Sequence, residues 1–403
     1  MKQAFVVVGA GFGDEAKGMT TCKIAERFDG LPGIFRFNGG AQAGHTVQHG
    51  NYRVVNQSLN SANFAGVTTT LYTKDVVVNP IVIEKEIKCQ ESMFYRKQKV
   101  CVSEYNPWTC AMDSEANRII AKHFGGNATC GFGINETLRR HEVIPIDTYA
   151  AMFGVDLFNK IGQTQDYYMD RFNSMGIPDE KIPEMYKNKS AVQFITKQLL
   201  NASSNWSIET FNTYKPNLNR HLLFEGAQGL MLDQEFGEFP FVTPSYTGTL
   251  NVGSFIKENE LDHIISPIYC IRTFLTRHGD GPFVEENPFL NTEFKYHDKT
   301  NVSNEFQGNF KLGVLDIDKV QKLIWRDVLR TSQKTGVFVN APVLSISHLD
   351  IFEHTGIKCI KNGEEHFVEN SNHFVSLWDF QVVVRGNGPD ISSWYYGRTH
   401  TWI

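Results

Sequence analysis

The chain has 403 residues, 41% of them hydrophobic and 21% charged, with a net charge of −5. That composition can bury a core, which excludes disorder over most of the length, and the acidic balance argues against general binding of nucleic acid or anionic membrane. The length suits one large domain or two to three ordinary ones. No apolar run reaches the roughly 18 residues of a membrane span. Seven cysteines (22, 89, 101, 110, 130, 270 and 359) are scattered without a CxxC pair. Such usage predicts reduced thiols in a cytoplasm, not a disulfide framework or a zinc ribbon.

The first element is the apolar run Phe5–Val8, too short for a signal peptide and ending in glycine. It predicts a buried strand. Similar runs follow at Ile34–Phe37, Val76–Val78, His221–Phe224, Ile268–Phe274, Val343–Ile346 and Val382–Val384. Each is β-branched or aromatic and bounded by Gly, Pro, Asn or Thr, as in buried strands of a mixed or parallel sheet. A helix is predicted over Asp14–Arg27, directly after the first strand. A helical insertion is expected over about 147–215, most clearly in Asp147–Leu200. Lys319–Arg330 carries apolar residues at 320, 323, 324 and 328, one helical face. The fold class is therefore α/β, a large central mixed or parallel sheet with flanking helices and a helical insertion. No linker divides the chain, so a single domain over 1–403 is expected.

Three glycine-rich segments carry chemistry. The first is Gly9-Ala10-Gly11-Phe12-Gly13-Asp14-Glu15-Ala16-Lys17-Gly18, where a strand gives way to a helix. Backbone N–H groups and a helix N-terminus converge there on an anion, and Lys17 adds a point charge for phosphate. An acid inside such a loop suits Mg²⁺ binding or acid–base work. The second is Asn38-Gly39-Gly40-Ala41-Gln42-Ala43-Gly44-His45-Thr46, a histidine on a backbone-rich loop after another strand. The third is Phe224-Glu225-Gly226-Ala227-Gln228-Gly229, where Gln228 could read the edge of a base through two hydrogen bonds.

Together these segments resemble the adenylosuccinate synthetase family, a purine-pathway ligase. Its pattern runs G-D-E-G-K-G, G-G-x-N-A-G-H-T, F-E-G-A-Q-G, V-T-S-S-N-T, T-R-V-G-x-G-P-F, an arginine-rich loop, T-K-L-D and G-P-D-R. The counterparts here include Gly13–Gly18, Gly39–Thr46, Phe224–Gly229, Val242-Thr243-Pro244-Ser245-Tyr246-Thr247 and Thr276-Arg277-His278-Gly279. Ser347-His348-Leu349-Asp350 and Gly388-Pro389-Asp390 complete the series. The order holds from residue 5 to about 390.

The resemblance implies a two-step ligation on a P-loop-related fold. A nucleoside triphosphate phosphorylates O6 of a purine 5′-monophosphate, and L-aspartate then displaces that phosphate at C6. Asp14 matches the base that takes the N1 proton, and His45 the acid at O6 and the γ-phosphate. Mg²⁺ would touch Asp14 and the Gly44 carbonyl. Gly13, Asp14, Glu15, Lys17, Gly18, Gly44, His45, Thr46, Lys311, His348, Asp350, Gly388 and Pro389 match positions around the triphosphate. Asp14, Lys17, Gln42, Ala43, Thr129, Cys130, Arg140, Gln228 and Thr243 match positions around the monophosphate. The arginine, Arg139 or Arg140, would come from a second subunit, which implies a homodimer.

The chain departs from this pattern in several places. Ala16 replaces glycine, Gln42 replaces asparagine, and Cys130-Gly131-Phe132-Gly133 stands for Thr-Gly-Arg-Gly. Over Asn304–Gly313 the consecutive arginines that clamp aspartate are missing, leaving Asn304, Gln307 and Lys311 as its candidate ligands. His348 replaces the lysine beside Asp350, which leaves ATP open as donor beside GTP. These changes lean toward the phage-type N6-succino-2-amino-2′-deoxyadenylate synthases, which use dGMP. Retained Asp14 favours IMP, because typical members of that branch carry serine there. A nucleotide sensor without activity is the competing class. A kinase or GTPase switch fits Ala16-Lys17-Gly18 poorly, and a dinucleotide-binding dehydrogenase fails on the third glycine spacing.

Overall fold

The structure, a computed structural model, describes residues 2–125, 131–204, 208–279, 281–283 and 310–397. Thr129, Cys130, Asn304 and Gln307 lie outside these residues. The described residues form an α/β fold around a ten-stranded sheet. In spatial order its strands are Trp394–Tyr396, Gln381–Gly386, Val343–Ser347, His263–Arg272, Lys2–Gly9, Leu222–Gly229, Ile34–Arg36, Thr69–Tyr72, Lys99–Val102 and Ile208–Thr210. All neighbours pair in parallel except Trp394–Tyr396, which runs antiparallel at one edge.

Lys2–Gly9 lies near the centre because its side chains are apolar on both faces. Ala4, Val6 and Val8 enter one hydrophobic cluster with Phe35, Phe224 and Ile324, while Phe5 and Val7 enter another with Met19, Cys22 and Ile268. A strand buried on both faces needs helices above and below, and this one has them. The helix Ile317–Thr335 covers one face. It is longer than Lys319–Arg330, because Asp316 caps its start by accepting from the Lys319 amide and Gly336 ends it at φ 76°.

Three expectations need correction. Val76–Val78 is not a strand: Val77 and Val78 donate to Gly39 and Pro107 carbonyls, and only a Val78–Trp108 bridge forms. Asn79 then caps the helix Pro80–Phe94. The helix after the first strand spans Lys17–Ala25, not Asp14–Arg27. The helical region also begins before 147, with Ala111–Phe124 and Ile134–Val143 preceding Thr148–Phe153, Leu157–Ser174 and Lys189–Ser204. All of these helices except Ile134–Val143 share an apolar cluster around Trp108, Ile161, Tyr168, Phe172 and Tyr186 beside the Lys99–Val102 edge.

Candidate active site

The candidate residues follow from the sheet. Asp14, Gln42, His45, Gln228, His278, Asp350 and Gly388 lie at or beyond the carboxyl ends of parallel strands. That is where open α/β sheets bind ligands. Buried polar atoms without a hydrogen-bond partner gather there too: Gln42 Oε1, His45 Nε2, Thr46 Oγ1, His278 Nδ1, Asp350 Oδ1 and Asn387 Oδ1. Such atoms cost free energy unless a ligand or water meets them.

In the first loop, Glu15 occupies part of the anion cradle itself. Its Oε1 accepts from the amides of Gly11 (3.0 Å) and Gly13 (2.7 Å), and its Oε2 from Lys17 Nζ (3.0 Å). Lys17 also donates to the Gly13 carbonyl at 2.5 Å. Both side chains are buried. Gly9 must be glycine here, since a Cβ would collide with the Glu15 carboxylate and the Gln228 carbonyl. The Gly13 amide is therefore taken, and the donors open to an incoming phosphate are those of the helix's first turn. Its N-cap, Ala16, offers no side-chain acceptor and sits at φ 58°. An uncapped helix start is an anion site.

His45 begins a hairpin, His45–His49 with Tyr52–Asn56, and packs against Gly18, where a Cβ would stand 3.0 Å from the histidine Cβ. Its Nδ1 lies 2.5 Å from Glu225 Oε1, and Glu225 also accepts from the Ser61 hydroxyl (2.5 Å) and amide (3.1 Å). Burial pulls the His45 pKa down to about 4, against the opposing charge of Glu225. Burial pushes Glu225 up, but His45, Arg36 and Ser61 outweigh it and hold the carboxylate at about 2. The imidazole is thus neutral, with Nδ1–H on Glu225 and Nε2 bare. An anion arriving at Nε2 would favour its protonation.

Asp14 lies in the same loop, between Gly13 and Glu15. Its carbonyl accepts from Arg272 Nε, and its Oδ2 lies 3.5 Å from His278 Nε2. About a quarter of its side chain stays open to solvent, and losing the rest of its water raises its pKa, with Arg272 and His278 pulling the other way. Gln228 has φ 62°, a left-handed conformation rare for glutamine. Its side chain lies over Gly13, where a Cβ would come within 3.3 Å of Oε1.

The outer candidates spread around this centre. His348, at φ 60°, starts the short turn Leu349–Glu353, and burial raises the Asp350 pKa. Gly388-Pro389 is tied to the His45 hairpin through Asp390, which accepts from the Gly50 amide at 2.6 Å. Lys311 pairs in register with Arg277 across the hairpin of Leu275–His278 and Phe310–Gly313. Arg277 is buried, 4.5 Å over the Phe12 ring. Ala43 is buried and Gly44 exposed, while Thr243 donates its amide to the Leu232 carbonyl.

Arg140 requires a correction. It is fully buried, bound to Asp113 at 2.7 and 3.1 Å and to the carbonyls of Trp108 and Ile144. It cannot reach another subunit without abandoning a buried carboxylate. Arg139, half exposed, is the arginine of this pair that faces outward.

Glu225, Ser61 and His278 carry no assigned role in the motif pattern. Glu225 had a signal: a carboxylate inside an apolar strand end must be paired. Ser61 had none.

The sequence model of the adenylosuccinate synthetase family matches residues 6–321. The chain belongs to that family. An adenylosuccinate synthetase of Bifidobacterium adolescentis is 29% identical over 303 residues, which cover 70% of this chain and 64% of that protein. The chain thus spans just under two thirds of that relative's length. Among solved structures, a fully ligated adenylosuccinate synthetase from Plasmodium falciparum superposes with a TM-score of 0.73 at 18% identity, covering 98% of this chain and 100% of that one. The cyanophage S-2L succinoaminodeoxyadenylate synthetase, bound to dGMP and dATP, gives 0.61 at 10% identity, covering 99% and 96%. Both show that the adenylosuccinate synthetase fold is this fold.

Proposed function

We propose that the chain is an adenylosuccinate synthetase that joins L-aspartate to C6 of IMP at the expense of a nucleoside triphosphate. The observation that carries this reading is the convergence of Asp14 and the Glu225-held His45 on the Lys17 loop. In the first step Asp14 accepts the N1 proton as O6 attacks the γ-phosphorus, and the nucleoside diphosphate leaves. His45 Nε2 faces the anion so formed. In the second step the neutral aspartate amine bonds to C6, the C6–O6 bond breaks to release phosphate, and the amine's surplus proton leaves with the phosphate or to water. Gln228 would orient the purine. Asp350, with one carboxylate oxygen unpaired, would accept N–H groups of the donor's base.

Asp14 and the carbonyl of Gly44, an exposed residue, would hold Mg²⁺, which when bound neutralises phosphate charge. Among the described residues no three His, Cys, Asp or Glu side chains cluster as a metal site. A single carboxylate sharing the ion with substrate phosphates suits Mg²⁺. Tyr149, Phe153 and Phe158 are exposed on the helices following Arg139 and would form the face of a homodimer. Among the described residues no helix is long and apolar enough to cross a membrane. Free cysteines at 22, 89, 101, 110, 270 and 359 suit a reducing cytoplasm, that of a host if the source is viral.

The test is phosphate release with Mg²⁺ and L-aspartate, crossing IMP, GMP and dGMP against ATP, dATP and GTP. Aspartate-dependent release is expected with IMP and is lost in Asp14→Asn, since an amide cannot accept the N1 proton. Release with dGMP alone would place the chain beside the cyanophage enzyme. Absence of aspartate-dependent release from every pair would make it a nucleotide sensor.

A further inference from the structure

We propose that Arg330 is a positioning residue for the purine monophosphate: from the helix Ile317–Thr335 it braces the segment 233–247, and with it Thr243, through two buried carboxylates and two aromatic rings. The inference rests on the reading above that Thr243 faces the monophosphate.

Arg330 is itself buried, and its guanidinium forks onto Asp233, Nη1 to Oδ1 at 2.9 Å and Nη2 to Oδ2 at 3.2 Å. Nη2 also donates to Asp327 Oδ1 at 2.8 Å. Both carboxylates are fully buried, so each depends on this cation. A lysine is a point charge and cannot make the same planar bridge. The carboxylates pass the constraint on. Asp233 accepts from the amides of Glu235 (3.0 Å) and Thr247 (2.8 Å), and so closes the segment at both ends. Asp327 accepts from the Thr249 amide at 2.8 Å, just beyond it. Gly248 lies between, where a Cβ would collide with the Asp327 carboxylate.

The same guanidinium lies 3.9 Å from the centroid of the Phe236 ring and 5.2 Å from that of Tyr246, so aromatic faces from both ends of the segment rest on it. One turn further along the helix, Lys334 pairs with Glu235 at 3.0 Å. Thr243 sits between these anchors. Its amide donates to the Leu232 carbonyl and its carbonyl accepts from the Ser245 amide, both at 2.8 Å. The threonine is thus placed by its backbone, and the backbone by Arg330. The family pattern has asparagine where Tyr246 stands, so the aromatic half of the brace belongs to this chain.

The experiment measures kcat, the KM of each substrate and the calorimetric Kd of the monophosphate in the wild type, Tyr246→Leu, Tyr246→Phe and Arg330→Lys. A threonine out of place loses a hydrogen bond to a charged phosphate. Tyr246→Leu and Arg330→Lys should therefore raise the KM and Kd of the monophosphate about tenfold, with kcat and the KM of triphosphate and aspartate near wild type. Tyr246→Phe keeps the ring and should match the wild type. An unchanged monophosphate Kd in either folded variant would overturn the proposal; if Arg330→Lys does not fold, Tyr246→Leu decides alone. A parallel rise in the KM of every substrate, the mark of general loosening, would overturn it too. So would an equal loss in Tyr246→Phe, which would put the hydroxyl itself on the ligand. If the wild type binds a monophosphate without turnover, the ligase reading fails while the Kd comparison still decides the role of Arg330. If it binds none of IMP, GMP and dGMP, both fall.

Discussion

His45 owes its state to Glu225 and to burial, not to its own chemistry. Its pKa in the fold, about 4, lies below the ordinary 6.5. As pH falls from 6.5, the unfolded chain takes up the proton first, so stability is lost progressively down to pH 4. Below 4.5, Glu225, held at about 2, adds to the loss in the same direction. His45→Asn should flatten the stability profile between pH 6.5 and 4, read by urea unfolding at each pH, and lower kcat by roughly 10²–10⁴-fold. A His45 that is only structural would instead lose stability at pH 7 while the folded fraction turned over normally. The histidine was legible in the sequence from its three neighbouring glycines. Its partner was not assigned, because Glu225 is 180 residues away and only the adjacency of two strands brings them together.

At the scale of the element, the helix Lys17–Ala25 starts on a residue that resists its conformation. Ala16 sits at φ 58°, where a Cβ costs about 1–2 kcal/mol. Ala16→Gly should relieve that strain, and after the extra freedom of glycine in the unfolded chain the gain is about 1 kcal/mol. A rise in the urea midpoint at constant m would show it, and a fall would mean that the Ala16 methyl makes a packing contact worth more than the strain. The loop-to-helix transition could be read from the glycines and Lys17. The later start of the helix could not, because it depends on Glu15 folding back onto the Gly11 and Gly13 amides. Val76–Val78 failed for a related reason. Its β-branched residues suit a strand, but their amides are claimed by carbonyls from residues far along the chain, Gly39 and Pro107.

Across the whole molecule, two neighbouring arginines divide their duties. Arg140→Leu should cost about 3–5 kcal/mol, because it strands the buried Asp113 carboxylate. Arg139→Leu should leave stability unchanged and weaken monophosphate binding, if the partner subunit supplies that side chain. Mixing an Arg139→Leu chain with an Asp14→Asn chain would then restore part of the activity in the hybrid dimer. Equal stability loss in both arginine variants, or no restored activity, would remove Arg139 from the site.

The sequence by itself determined the α/β class, because apolar runs flanked by glycine turns can be satisfied only inside a sheet covered on both faces. It also determined the phosphate-type loops, whose chemistry is local: glycines, a lysine and a helix start within a few residues. Only the tertiary structure decided which polar groups work together. Glu225 with His45, His278 with Asp14 and Asp113 with Arg140 are pairs made by strands and helices distant in sequence. Their energies come from burial, which no single segment possesses until the others pack against it.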